Sequence, residues 1–175
     1  MATISSSTAT RGSARGAQPN SAESRVQAQW LTKEQQHVWR TYLLGSSRLA
    51  ERLDADLRDH GIDLGEYEIL VVLEETPGRR VRMSDLADAV HQSRSRLTHT
   101  VARMEKRNLV TRTMCPDDRR GVWAELTEVG FELLKSAAPS HVACVRENFV
   151  EAVDPADFAA LGRAFQAVLD ATEDE

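Results

Sequence analysis

Two cysteines in 175 residues are too few for a disulfide scaffold, and Cys115 and Cys144 lack the CxxC spacing of a metal clamp. Both are read as reduced thiols. No apolar run approaches the ~18 residues of a membrane span, and the first residues contain no apolar core of a secretory signal. No membrane association is expected, and the expected location is cytoplasmic. A Gly-rich phosphate loop, an HExxH pair and an internal repeat are also missing. His37, His60, His91, His99 and His141 sit in contexts that helices and turns explain, not beside a nucleophile with an orienting acid. An enzyme is therefore not expected, nor is a cofactor or a metal.

What is present is a chain of 41% hydrophobic content, enough for one compact core but not for two large domains. The formal net charge of −5 conceals a strong asymmetry. From Arg79 to Arg120 there are eleven basic residues against five acidic ones, a local surplus of six positive charges. Such a patch supplies the phosphate-neutralising part of nucleic-acid affinity, while the acidic remainder limits indiscriminate binding. Residues 1–25 are dominated by Ser, Thr, Ala and Gly, with Arg11, Arg15, Arg25 and Glu23 as the charges. That composition cannot offset ordering entropy, so a disordered tail is expected, either touching phosphates through its arginines or inert.

Helix signals begin at Thr32, which with Gln35 forms a capping-box pattern and opens a long helix to about His60, with Gly61 as its stop. Leu64 to Glu75 reads as a second helix, ended by Thr76-Pro77-Gly78. Met83 and Ser84 read as staple and N-cap of a two-turn helix that buries Leu86, Ala87 and Val90. After His91 and Gln92, Ser93 caps a further helix in which Leu97, Val101 and Met104 form one narrow apolar stripe. Ser95, His99, Ala102 and Lys106 lie opposite that stripe. Thr98 and Arg94 flank them on one side, Arg96 and Arg103 on the other. Two short helices joined this closely, the second small, polar and cationic outside, meet the requirement of a helix-turn-helix; a solvated amphipathic helix is the plainer alternative.

The next segment reads as a two-strand arm. Val110 to Cys115 and Val122 to Leu126 carry strand character, and Pro116, Asp117, Asp118 and Gly121 supply turn chemistry between them. Arg119 and Arg120 then project from the tip, where an Arg can enter a minor groove. Asp118 is placed to orient Arg120 by charge-assisted hydrogen bonds. A surface turn with a weak ion pair is the alternative. Beyond the arm, Thr127 caps a helix with Phe131, Leu134, Val142, Val145 and Phe149. Asp154-Pro155 starts another with Phe158, Leu161, Phe165 and Val168 on one face. These helices and the first long one carry more apolar stripe than a small domain covers alone, which favours a two-fold dimer over a monomer.

The run DDRRGVWAELTEVG resembles the wing signature of MarR-type regulators, an Asp, a variable residue and an Arg before a strand ending in Leu-Thr and then a Gly. Those positions are Asp118, Arg120, Leu126, Thr127 and Gly130. MSDLADAV and SRSRLTHTVARMEKRNLVTR are similar to that family's helix-turn-helix, and the resemblance runs from about Leu31 to the C-terminus. The family's usual Gly before the first wing strand is Asn108 here, a residue that tolerates the left-handed conformation. The resemblance implies a mainly α fold with a small β-hairpin wing: a winged helix-turn-helix at 64–126, and a helical dimerisation region at 31–61 and 127–172. It also implies a homodimeric DNA-binding transcriptional regulator, a repressor by default, on an inverted-repeat operator in double-stranded DNA. The expected DNA-contacting set is Ser93, Arg94, Ser95, Arg96, Thr98, His99 and Arg103 on the helix, with Asp118, Arg119 and Arg120 on the wing.

Members of that family often hold a small aromatic or phenolic effector between the dimer helices and the winged helix. Trp39, Tyr42, Arg48, Tyr67 and His141 are candidates to line such a pocket, although aromatic residues at helical spacing more often simply pack. The peroxide-sensing branch uses a Cys near the start of the first long helix, and this chain has none before Cys115. A redox role at Cys115 or Cys144 and a winged helix that docks proteins are the alternatives.

Overall fold

The computed structural model describes residues 29–115 and 118–172. The expected tail at 1–25, Pro116, Asp117 and the side chains of Arg119 and Arg120 lie outside that set. Helix α1 spans Lys33–Arg58, and the expected box at its start is present: Gln35 N–H donates to Thr32 Oγ1 at 3.2 Å, and Thr32 N–H to Gln35 Oε1 at 2.9 Å. Gly61, at φ +75°, reverses the chain after it, a conformation that costs a Cβ-bearing residue energy. Helix α2, Leu64–Glu75, opens with a second capping box between Asp63 and Glu66. A 3₁₀ turn at Pro77–Arg79 leads to strand β1, Arg80–Arg82.

Helix α3 covers Met83–Ala89 and helix α4 Arg94–Lys106. Ser93 caps α4 as expected, its hydroxyl accepting from Arg96 N–H at 3.3 Å. Ser84 does not cap α3. That helix starts two residues earlier than a Ser84 cap requires, behind Arg82 with no side-chain cap, and the Ser84 hydroxyl turns to Asp85 Oδ1 at 2.8 Å. Strands β2, Val110–Cys115, and β3, Asp118–Leu126, form the wing. The arm is a three-stranded antiparallel sheet and not two strands, because β1 joins β3 through the pairs Arg80 with Glu125, Val81 with Ala124 and Arg82 with Trp123. Three residues are too few to show strand periodicity in a sequence. Helix α5, Glu128–Val145, runs into a wider π-type stretch at Arg146–Val150, and helix α6, Pro155–Thr172, ends the described chain.

One core sits under the helix-turn-helix. Ile69, Leu70 and Leu73 of α2, Leu86 and Ala87 of α3, Leu97, Val101 and Met104 of α4, and Val110 and Ala124 of the sheet are buried together. The stripe expected on α4 is thus the buried one, and burying such side chains contributes about 1.5–3 kcal/mol each. Thr127 closes the unit from the far side. It takes Gly130 N–H at 3.0 Å as N-cap of α5, and its hydroxyl reaches the carbonyl of Asn108 at 2.6 Å. Asn108 itself holds φ +57°.

Gly130 lies where α5 crosses the start of β2, and a Cβ there would fall 2.1 Å from the Leu109 carbonyl oxygen. Backbone cannot yield as a flexible side chain does. Gly130→Ala is expected to destabilise the fold by about 2 kcal/mol or more, read as a lowered urea midpoint; an unchanged midpoint would show that α5 shifts freely.

Candidate nucleic-acid interface

Arg94, Ser95, Arg96, Thr98, His99 and Arg103 are all exposed on α4, while Leu97, Thr100, Val101 and Met104 face inward. Helical spacing thus sorts the chemistry cleanly. Thr98 Oγ1 donates to the Arg94 carbonyl at 2.7 Å, an orientation that leaves its oxygen able to accept. No salt bridge ties Arg94 or Arg96 among the described residues, so both guanidinium groups keep their donors for other partners.

Arg103 is placed differently. Its Nη2 donates to Asp63 Oδ2 at 2.9 Å and to Glu66 Oε1 at 3.3 Å, which turns the group toward the start of α2. One helical turn on, Arg107 Nη1 reaches Glu66 Oε2 at 3.1 Å, and its Nη2 reaches the Gly61 carbonyl at 2.7 Å. Glu66 is buried, its side chain only 5% exposed. Two cations from consecutive turns of α4 therefore compensate one desolvated carboxylate.

The wing is fastened at two points. Glu105, near the end of α4, receives the Arg112 backbone N–H at 3.2 Å and its guanidinium Nε at 3.0 Å, joining α4 to β2. Those hydrogen bonds hold the Glu105 carboxyl below the usual range. Asp118 accepts from Arg82 Nη1 at 3.0 Å, so a residue of β1 holds it. The Arg82 and Arg80 guanidinium groups also lie over the Trp123 ring, at 5.4 and 5.1 Å from its centroid. The orienting role expected of Asp118 toward Arg120 involves a side chain outside the described residues, as does Arg119. Between the wing and the helices, Arg82, Ser84, Arg94, Thr98 and Arg112 line a cleft of about 370 Å³.

Two further features bear on sensing. Among the expected pocket candidates, Trp39 and Tyr42 stack on each other on the exposed side of α1, whereas Tyr67 and His141 are buried against each other at 4.3 Å. They line a cleft of about 550 Å³ with Leu53, Leu64, Val71 and Val90. His141 Nδ1 is buried there and has no hydrogen-bond partner among the described residues. The thiols are less suited to sensing. Cys115 is buried against Gly121, and burial, reinforced by Asp56, raises the pKa of the Cys144 thiol and so lowers its thiolate fraction. His60 Nε2 does meet Ser140 Oγ at 2.8 Å, but the nearby Asp56 contacts the serine and not the imidazole. That order is wrong for a nucleophile, a base and an orienting acid.

Residues 60–121 match the model of the MarR family. The chain is 44% identical to AbsC, a MarR family transcriptional regulator from Streptomyces coelicolor. The match covers 85% of this chain and 100% of that one, with a TM-score of 0.80. Sco3205, another MarR family regulator from Streptomyces coelicolor and solved in complex with DNA, is 42% identical over 82% of this chain and 91% of that one, at a TM-score of 0.79. The transcriptional repressor MprA of Escherichia coli (strain K12) is 30% identical over 101 residues, 58% of this chain and 57% of that protein. The chain thus spans little more than half the length of that curated relative. It belongs to the MarR family of transcriptional regulators. The proteins it resembles are regulators and not enzymes.

Burial holds the His141 pKa below the usual 6.5, against the pull of Asp56. The unfolded chain then takes up the proton at a higher pH than the native one. The contribution of neutral His141 to stability is complete above 6.5 and is lost as pH falls toward the native value. Between about pH 7.5 and about pH 5.5 the urea midpoint should fall less in His141→Gln than in the parent; equal falls would mean that the ring is hydrated.

Proposed function

We propose that this protein is a sequence-specific regulator that binds duplex DNA as a homodimer and represses transcription by default. The observation that carries this is the outer face of α4, where Arg94, Ser95, Arg96, Thr98 and His99 stand exposed beside the wing. Ser95, Thr98 and His99 offer small hydrogen-bonding groups to base edges in a major groove. Arg94 and Arg96 combine base and phosphate contact, with Ser93 at the helix N-terminus beside them. Arg119 and Arg120 are assigned to the adjacent minor groove, with Asp118 at the turn end of the wing assigned to orient Arg120. The likeness to Sco3205, itself solved with DNA, and to a repressor supports the reading.

The dimer is inferred from what the helices leave uncovered. None of the residues of α6 is buried, although it carries Phe158, Phe165, Val168 and Leu169. On α1, Val38, Trp39, Tyr42, Leu43 and Leu44 are exposed, with Tyr42 and Phe165 in ring contact at 5.7 Å. A continuous apolar surface on one end of a small protein is best satisfied by a second copy. Residues 31–61 and 127–172 are accordingly assigned to dimerisation and 64–126 to DNA. We assign the cleft at Tyr67 and His141 to a small aromatic or phenolic effector, for which the unpartnered His141 Nδ1 is an acceptor. About 550 Å³ suits such a molecule. No helix is long and apolar enough to cross a membrane, and action in the cytoplasm is part of the same proposal.

Selection from a random duplex library, followed by titration of the winner at several salt concentrations, tests the whole reading. An inverted repeat with half-sites about one helical turn apart and a steep negative salt slope is expected; no enrichment would favour a protein-docking module instead. On that operator Arg120→Ala should weaken binding most where the flanks are A·T-rich, and an equal loss on all flanks would remove the minor-groove assignment. Phe165→Glu should convert the dimer to monomers in light scattering, with the operator affinity lost in parallel. A dimer that survives the change would place the interface elsewhere.

A further inference from the structure

We propose that Asp63 and Glu66 hold Arg103 back from DNA and so act as positioning residues that set how far α4 commits to non-specific phosphate contact. This rests on the DNA-binding reading above and adds a restraint within it.

The geometry is a capping box used twice. Asp63 Oδ1 accepts Glu66 N–H at 2.8 Å and Glu66 Oε2 accepts Asp63 N–H at 3.4 Å, which satisfies the first turn of α2. The remaining oxygens, Asp63 Oδ2 and Glu66 Oε1, converge on a single nitrogen, Nη2 of Arg103. Arg103 lies four and seven residues beyond His99 and Arg96, on the α4 face that these two also occupy, and all three line one cleft with Asp54 and Arg58 of α1. Its side chain is 57% exposed. A guanidinium held at the surface by two carboxylates is not fixed there by packing. It is sequestered by charge, in place of the phosphate it would otherwise neutralise. Arg107 differs, since a second hydrogen bond to the Gly61 carbonyl anchors it to the backbone.

The test uses the full-length protein, the selected operator and a random duplex of equal length, with affinities measured from about 50 to about 200 mM salt. Asp63→Asn keeps the capping oxygen and removes the charge facing Arg103. Glu66→Gln does the same from the buried position, and the first variant remains informative if the second fails to fold. Release of Arg103 should tighten random-duplex binding on the order of threefold at low salt and make the salt slope more negative by about 0.9 for each α4 engaged. The ratio of operator to random affinity should fall. Adding Arg103→Gln to Asp63→Asn should abolish the gain, because the released group is then missing. A gain that persists in the double variant would come from loss of acid repulsion alone and would overturn the proposal. So would an unchanged slope in Asp63→Asn, which is the result if the carboxylates merely support the fold. Failure of the parent protein to bind any duplex would instead overturn the DNA-binding reading, and the restraint with it.

Discussion

The rotation of α4 about its own axis is fixed by a carboxylate with almost no access to water. A hydrophobic stripe such as Leu97, Val101 and Met104 tolerates slippage, because apolar contact has little directionality. Glu66 does not tolerate it. Its two oxygens meet Arg103 and Arg107 from consecutive turns, and a rotated or sliding α4 would strand a buried charge. The exposed face of Arg94, Ser95, Arg96, Thr98 and His99 is therefore held at one azimuth by an acid on the neighbouring helix. Glu105 with Arg112 and Arg82 with Asp118 extend the same device to the wing, so the helix and the wing are indexed to each other. Directional charged hydrogen bonds position the surfaces, while the core supplies most of the cohesion.

This changes the meaning of the charge surplus between Arg79 and Arg120. Counted along the chain, six positive charges are in excess. In three dimensions Arg79 meets Glu128, and Arg103 and Arg107 meet Asp63 and Glu66, acids that lie outside the counted stretch. Arg82 and Arg112 are paired within it. Arg94 and Arg96 are on the outer face without such a partner among the described residues. Fewer of the described cations than the count suggests are left without an acidic partner, and two of them, Arg94 and Arg96, stand at the start of α4, where the helix dipole also favours an anion.

The parts legible in the sequence were those with local causes. The box at Thr32 and Gln35, the caps at Ser93 and Thr127, the left-handed Asn108 and the buried stripe of α4 all depend on residues within a turn or two of one another. What escaped depends on distance along the chain. Arg82 is 36 residues from Asp118, and Arg103 is 37 from Glu66, so nothing in the local pattern marks either pair. Arg103 belongs to the expected DNA-contacting set, since azimuth places it near His99 on α4. Its guanidinium instead turns back to α2, a choice that the 3.6-residue period cannot register. The strand β1 was hidden for a different reason, because three residues that alternate Arg, Val and Arg look like the end of a loop.

Helix α2 links the two halves of the proposed mechanism. Tyr67 and Val71 line the cleft with His141, while Glu66, adjacent in sequence to Tyr67, grips α4. A ligand in the cleft need not touch α4 to affect it. If it prefers a position of α2 in which Tyr67 is displaced from His141, the same displacement moves the anchor of Arg103 and Arg107. The coupling is reciprocal, so DNA that favours one placement of α4 must alter the affinity of the cleft by the same factor. A molecule that fits both placements equally would fill the cleft and leave the DNA affinity unchanged, however tightly it bound. On the proposed reading an effector has to discriminate between two positions of α2, and Tyr67 and His141 are among the cleft side chains placed to feel that difference.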